Sequence, residues 1–157
     1  MTMRYFQNNG KTYGYDTGVS TDETLIADAI AANWTEVTGS WPPAPTAIQT
    51  AAIAATSALA SGMILTCTSN GDLNATYATS MNTKVDVLGI LGYIGLKGSF
   101  IGGATSMNWY DISGIPHSFT VSQFTEFAEA LGGFIQAVED YAITGSGSIP
   151  SNAVTIA

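Results

Sequence analysis

Charge is scarce in this chain, and positive charge is scarcest: its 157 residues carry four Lys and Arg against twelve Asp and Glu, a formal net charge of −8. Charged residues make up 10% of the sequence, against roughly 25% in ordinary soluble domains. Nucleic acid and anionic membrane surfaces are held largely through Lys and Arg, so the balance excludes both as expected partners. The single cysteine, Cys67, cannot form an internal disulfide, and within "ILTCTS" it reads as a small apolar strand residue. The longest apolar run, "VLGILGYIGL", falls short of the ~20 residues of a membrane span, so no insertion is expected. The opening "MTMRYFQNNGKTYGYD" is polar and aromatic and does not resemble a secretory leader, which makes a soluble chain made in the cytoplasm the expectation. One His, one Cys and scattered acids offer no set at metal-ligand spacing. The glycines at 89, 92 and 95 lack the Lys-Ser/Thr of a phosphate loop and the spacing of a dinucleotide fingerprint. Neither a metal nor a cofactor is expected.

What the chain has is apolar content, 46% of its residues, enough for a real core. It also has two long uncharged stretches, from Val37 to Gly71 and over residues 141–157. Such surfaces depend on Ser, Thr, Asn and Gln for solubility, or are covered by other subunits.

The N-terminus reads as a β-hairpin, because Asn9-Gly10 is a favoured two-residue turn. In that register Phe6 faces Tyr13 and Arg4 faces Tyr15, an aromatic pair beside a possible cation–π pair. Tyr5, Phe6, Tyr13 and Tyr15 together make this hairpin an expected attachment surface. A helix follows, with Ser20 and Glu23 as a capping box and Leu25, Ile26, Ala29 and Ile30 as its apolar stripe. The prolines of "TGSWPPAPT" forbid regular structure and mark a linker. The expected organisation is a hairpin-helix module at 1–37, a Pro-rich linker at 38–46 and an α+β body at 47–157.

In the body, Thr46 and Gln49 form a capping box opening an Ala-rich helix that Gly62 stops. Ile48, Ala52, Ala55 and Leu59 share one face of it, while Ala51, Ala54 and Ala58 make a second, smooth face expected to be buried against the body or a neighbouring subunit. The segment "MILTCTSNGDLNATYAT" reads as a hairpin turning at Asn70-Gly71, with Ile64 opposite Tyr77. A helix over about residues 80–96 is expected to pack through Val85, Leu88, Leu91 and Ile94 or Tyr93. Its glycines are explained by close backbone packing or by fraying, at a cost of about 1 kcal/mol each relative to Ala.

The segment "NWYDISGIPHSFTVSQF" holds an aspartate, the only histidine and three serines. Asp111 through Gly114 fits a type I turn closing a hairpin, which sets Trp109 opposite His117 and Met107 opposite Phe119. Strand alternation then turns Ser118 away from His117, against a Ser-His-Asp arrangement. His117 is expected to pack among aromatics and Asp111 to cap the turn. Thr120 and Gln123 begin a long helix whose apolar stripe runs Phe124, Phe127, Ala128, Leu131, Phe134, Ile135, Val138 and Tyr141. The chain is therefore expected to be α+β, hairpins alternating with helices, and not an enzyme. A small hydrolase using Asp111 and His117 is the alternative from another class.

The stretches "LNATYATS", "NWYDISGIPHSFTVSQFTEFAEALGGFIQAVEDY" and "SIPSNAVTIA" resemble a family of small phage and prophage tail proteins that carry a domain of unknown function. The resemblance covers about residues 46–157 and falls on Leu73, Asn74, Thr76, Tyr77, Trp109, Asp111, Gly114, His117 and Phe119. The first residues, with the Trp and Pro-rich connector, are similar to tail-fibre-associated proteins, including fibre-assembly proteins. What the resemblance implies is a tail structural or fibre-associated protein in the virion, made in the host cytoplasm and acting by protein–protein binding within an oligomeric assembly. A fibre-assembly chaperone is the alternative. No catalytic residue comes with the resemblance.

Overall fold

A computed structural model describes residues 2–37 and 44–157. The chain divides into two compact units, Met1–Pro45 and Thr46–Ala157. Residues 38–43, most of the expected linker, lie outside the described residues.

In the first unit β1 (Met3–Asn8) and β2 (Lys11–Asp16) form the antiparallel hairpin, turning through Asn9 and Gly10 at φ of +50° and +77°. The register sets Phe6 opposite Tyr13 and Arg4 opposite Tyr15. The side chains choose other partners. The Arg4 guanidinium lies over the Phe6 ring, 5.2 Å from its centroid, and forms two hydrogen bonds with the Glu36 carboxylate at 2.7 and 2.8 Å. Glu36 belongs to β3 (Thr35–Val37), a strand with no sequence signal, which extends the sheet to the order β2-β1-β3.

Helix α1 (Ser20–Ala31) covers this sheet through Ile26 and Ala29, which pack with Phe6, Tyr15 and Trp34. Two expectations fail here. The Ser20/Glu23 capping box does not form, because the cap is Val19, whose carbonyl accepts from Asp22 and Glu23 N–H groups at 3.0 Å each. The Leu25 and Ile30 side chains are exposed, since a short helix over three strands buries only a narrow stripe.

The second unit is built around α4 (Val121–Thr144). Its Thr120/Gln123 capping box is present, and Phe124, Phe127, Ala128, Leu131, Phe134, Ile135 and Val138 are all buried. The Ala-rich α2 (Ala47–Ser61) has its Thr46/Gln49 capping box, and it buries Ala51 and Ala55 with Ala58 and Leu59 half-buried. The inward stripe therefore mixes the two expected faces. Ile48 and Ala52 point outward, because small side chains let α2 lie close to the body wherever alanines cluster.

Strand β4 (Met63–Cys67) buries Met63, Leu65 and Cys67 in strict alternation. It pairs with β5 (Ala75–Tyr77) antiparallel and with β8 (Ala153–Ile156) parallel, giving the order β5-β4-β8. Ile64 faces Thr76, one residue off the expected partner Tyr77. The shift arises in the connection, where Asn70 accepts from the Asp72 N–H through its side chain and opens a short 3-10 turn at Gly71–Leu73 in place of a two-residue turn.

Helix α3 (Met81–Lys97) is capped by Ser80 and buries Val87 and Ile94, with Ile90 and Leu91 packed beside them. Val85 and Leu88, expected in the core, are exposed. Close packing does not explain the glycines at 89, 92 and 95, since a methyl group added at any of them would meet nothing within 4 Å. Fraying does not either, because the helix runs unbroken through them. Finally β6 (Ser106–Tyr110) and β7 (Pro116–Thr120) form the second antiparallel hairpin and lead straight into α4, with Trp109 opposite His117 and Met107 opposite Phe119 as expected.

Candidate functional site: a junction at Asp111, His117 and Tyr77

The β6–β7 hairpin ends in a loop organised by one carboxylate. Asp111 Oδ1 accepts from the Ser113 and Ile115 N–H groups, both at 2.8 Å, and the Gly114 N–H returns to the Asp111 carbonyl at 3.0 Å. Gly114 sits at φ +78°, which the tight return of the chain requires. Asp111 Oδ2 remains free of the loop and faces His117 Nε2 at 3.3 Å. The second ring nitrogen, His117 Nδ1, is hydrogen-bonded to the carbonyl of Asp72 in the 3-10 turn between β4 and β5.

The side chains of His117 and Asp111 are 13% and 9% exposed. Both ring nitrogens thus face acceptors. An imidazolium donates to both, whereas each neutral tautomer donates to one. With both positions engaged, neither nitrogen is presented to a serine hydroxyl, and Ser118 sits on the opposite face of β7, paired with Asn108. Asp111 and His117 do meet, as a hydrolase would need, but the pair is spent on joining the hairpin to the turn.

The same turn is held from its other side. Asn74 Oδ1 accepts from the Cys67 N–H at 2.6 Å, and the Tyr77 hydroxyl donates to the Leu73 carbonyl at 2.9 Å. The Ile112 N–H of the hairpin loop donates to the Thr76 carbonyl of β5 at 2.9 Å. Beneath these bonds the Tyr77 ring meets His117, Phe119 and Phe127 edge-on, with centroids 5.8, 5.8 and 5.0 Å apart. Trp109 closes the cluster against Phe124 at 5.8 Å. Burial pushes the Tyr77 hydroxyl far above the ordinary tyrosine range, and the nearby Asp111 charge adds to the effect. It therefore stays a donor to Leu73 at any ordinary pH.

Asp111 is shifted the other way, to below the ordinary carboxylate value. The Ile115 N–H is the largest cause, and His117 and the Ser113 N–H act in the same sense against a partial cost of burial. A carboxylate whose folded value is depressed contributes stability above its unfolded value, near 4, and that contribution disappears as pH falls through the lower folded value. Asp111→Asn is expected to flatten the acid side of the stability profile. Urea midpoints taken from neutral pH down to about pH 2.5 check this. An acid limb equally steep in the variant would remove Asp111 from the account.

Next to the junction lies a cleft of about 420 Å³, lined mainly by apolar groups that include Leu59, Ile112 and Ile135. Thr79, the one buried polar side chain among the described residues, donates to the Leu59 carbonyl. Lys84 and Glu139 pair at 3.3 Å at this cleft and tie α3 to α4. Among the described residues no His, Cys, Asp and Glu side chains gather as a metal site, and no helix is long and apolar enough to cross a membrane.

The expected interaction residues divide. Phe6 is 1% exposed under α1, a core residue of the first unit, and Ala51 is 1% exposed, buried against the body as one of the two expected outcomes for its face. Tyr13 packs against Trp34 with tilted rings, centroids 5.0 Å apart, and Tyr15 likewise against Phe6 at 6.2 Å. Ala54 and Ala58 are half-buried and line a depression with Ile149, Pro150 and Ser151 of the chain's own C-terminal segment. Tyr5 lies in β1 next to Phe6 and is half-buried. By contrast Leu73, Asn74, Thr76, Tyr77, Trp109, Asp111, Gly114, His117 and Phe119 come together at one place. Asp72 was not singled out from the sequence, because its contribution is a backbone carbonyl, which side-chain patterns do not register.

Comparison with known protein families, with curated proteins and with solved structures finds no match.

Proposed function

We propose that this chain is a structural or fibre-associated protein of a phage tail, resident in the virion after synthesis in the host cytoplasm, and that it works by protein–protein binding without catalysis. The observation that carries the reading is the use made of the motif. The nine residues on which the resemblance to small tail proteins rests form a junction that locks a hairpin, a strand pair and the N-terminal half of α4 together. A motif conferring a rigid scaffold suits a protein whose task is to present surfaces. The surfaces support the same reading: Ile53, Leu96, Ile101 and Ile143 are exposed on a chain with few charges, as expected of a body covered in an assembly.

A fibre-assembly chaperone is the second reading. The N-terminal hairpin favours it, with Tyr13 exposed and packed on Trp34 as a small aromatic platform. Mass spectrometry of purified particles and of the lysate they came from separates the two. A fixed copy number relative to the major tail proteins supports the structural role. Abundance in the lysate with loss on particle purification supports the chaperone, and absence of the chain from every particle-producing culture would remove both.

A further inference from the structure

Strand β2 has an open edge. It is the outer strand of the order β2-β1-β3, and the two-residue turn at Asn9-Gly10 sends the backbone N–H and C=O groups of Lys11, Tyr13 and Tyr15 to β1. The groups of Thr12, Gly14 and Asp16 therefore point away from the sheet. Asp16 is engaged within its own chain, its N–H donating to Asp22 Oδ2 at 2.9 Å and its carbonyl accepting from the Val19 N–H at 3.2 Å. Thr12 and Gly14 keep unpaired backbone donors and acceptors, with no partner among the described residues. By contrast, β8 has the Ala153 and Ala157 N–H groups covered by Ser151 Oγ and Glu126 Oε2. An uncovered edge is a template for another strand.

The strand that matches this edge is β2 of a second copy. Antiparallel pairing about a twofold axis at Tyr13 sets Thr12 of each copy opposite Gly14 of the other, so every unpaired N–H meets an unpaired carbonyl. Sliding the register by two residues puts Thr12 opposite Asp16, whose N–H is taken, or Gly14 opposite Gly10, inside the turn. Parallel pairing in register sets Lys11 beside Lys11. In the twofold register Tyr13 faces Tyr13 and Lys11 faces Tyr15 on one side of the ribbon, an aromatic pair flanked by cation–π contacts, and no like charges are opposed. Tyr13 is 38% exposed, and Lys11 has no ion-pair partner among the described residues. The crossover from β2 through α1 to β3 carries the helix over Phe6 of β1, one strand in from the edge. The two α1 helices then stand about three strand spacings apart, ~14 Å, enough for helices about 10 Å across.

We infer that the outer edge of β2 is a self-association surface, through which two copies of this chain join their N-terminal sheets into one continuous sheet, Thr12 of each pairing with Gly14 of the other. This goes beyond the tail reading, which requires no particular symmetry, and it stands or falls independently of it. An isologous contact needs one self-complementary patch, and here the unpaired groups lie symmetrically about a single residue, Tyr13.

Sedimentation of the full chain from about 1 µM to about 300 µM, a range in which modest contacts dissociate, tests the inference. The expected result is a concentration-dependent monomer–dimer equilibrium. Thr12→Pro deletes an outward N–H that β1 does not use, at an edge position that tolerates proline, and is expected to weaken the dimer by about tenfold or more. Cross-linking locates the axis. In a chain carrying Cys67→Ala, Tyr13→Cys is expected to form an intermolecular disulfide with oxidised glutathione, because facing residues of a non-hydrogen-bonded pair stand about 4.5 Å apart at Cα. Lys11→Cys, whose two copies are offset by ~13 Å along the strands, is expected to stay uncross-linked. Circular dichroism of each variant verifies its fold. A wild-type chain that stays monomeric throughout overturns the inference and leaves the edge to a strand of another protein. So does a dimer indifferent to Thr12→Pro, or cross-linking as fast at Lys11 as at Tyr13.

Discussion

Tyr77→Ala is expected to destabilise the second unit by about 3–5 kcal/mol, the cost of deleting a large buried aromatic and leaving a cavity behind it. Tyr77 is fully buried, with its ring against His117, Phe119 and Phe127 and its hydroxyl on the Leu73 carbonyl. Three elements lose contacts at once: β5, the β6–β7 hairpin and α4. Tyr77→Phe separates the two parts of the effect. It retains the ring and leaves the Leu73 carbonyl without its donor, for about 1–2 kcal/mol. Chemical denaturation of both variants, followed by circular dichroism at constant slope, gives the comparison. If Tyr77→Ala lost no more than Tyr77→Phe, the junction would be a set of surface hydrogen bonds with no core beneath it.

The elements most legible in the sequence are those that a local rule decides alone. Thr46 with Gln49 and Thr120 with Gln123 each needed only a hydroxyl and an amide three residues apart, and both capping boxes form. Asn9-Gly10 fixed the first hairpin through the positive φ that both residues accept. Asp111 and Gly114 fixed the second, from which the facing of Trp109 and His117 followed. On α4, large aromatics stand on one side and acids on the others, so both the period and the phase of the helix could be read.

Legibility failed where side chains differ too little to set a phase. On α2 alanines occupy every face, and on α3 valine, leucine and isoleucine alternate with glycine all round the helix. A helical period could be recognised in each. Which side faced inward depended on α4, which no local pattern records. The β4–β5 register failed for another reason: Asn70 and Asn74 use their side-chain oxygens on backbone N–H groups, so the turn is longer than the Asn-Gly pair suggests. Strand β3, three residues containing Thr and Glu, exists because β1 offers an edge and Arg4 offers a partner for Glu36. Of the junction, the participating residues were visible and their connection was not. It runs through the carbonyls of Asp72, Leu73 and Thr76, which any residue could supply.

Gly62 is the position where a single added methyl group is expected to do the most damage. It ends α2 at φ +77° and ψ 174°, a conformation essentially confined to glycine, and its ideal Cβ would stand 2.7 Å from the Tyr77 carbonyl oxygen. That oxygen belongs to the backbone of β5, which β4 pins through the Met63–Tyr77 pairing, so it cannot swing aside as a flexible side chain would. Gly98 provides the control. It caps α3 in the ordinary left-handed region at φ +67° and ψ 12°, with open space around it. Gly98→Ala should therefore cost about 1–2 kcal/mol, the price of the left-handed conformation alone. Gly62→Ala adds a steric conflict between α2 and β5, for a total on the order of 3–5 kcal/mol and loss of tight packing where Tyr77 enters the core. Denaturant midpoints of the two variants, with near-ultraviolet circular dichroism to follow the aromatic cluster, give the result. Equal losses at the two positions would mean that α2 and β5 yield freely to one another, and that the junction does not hold β5 in place.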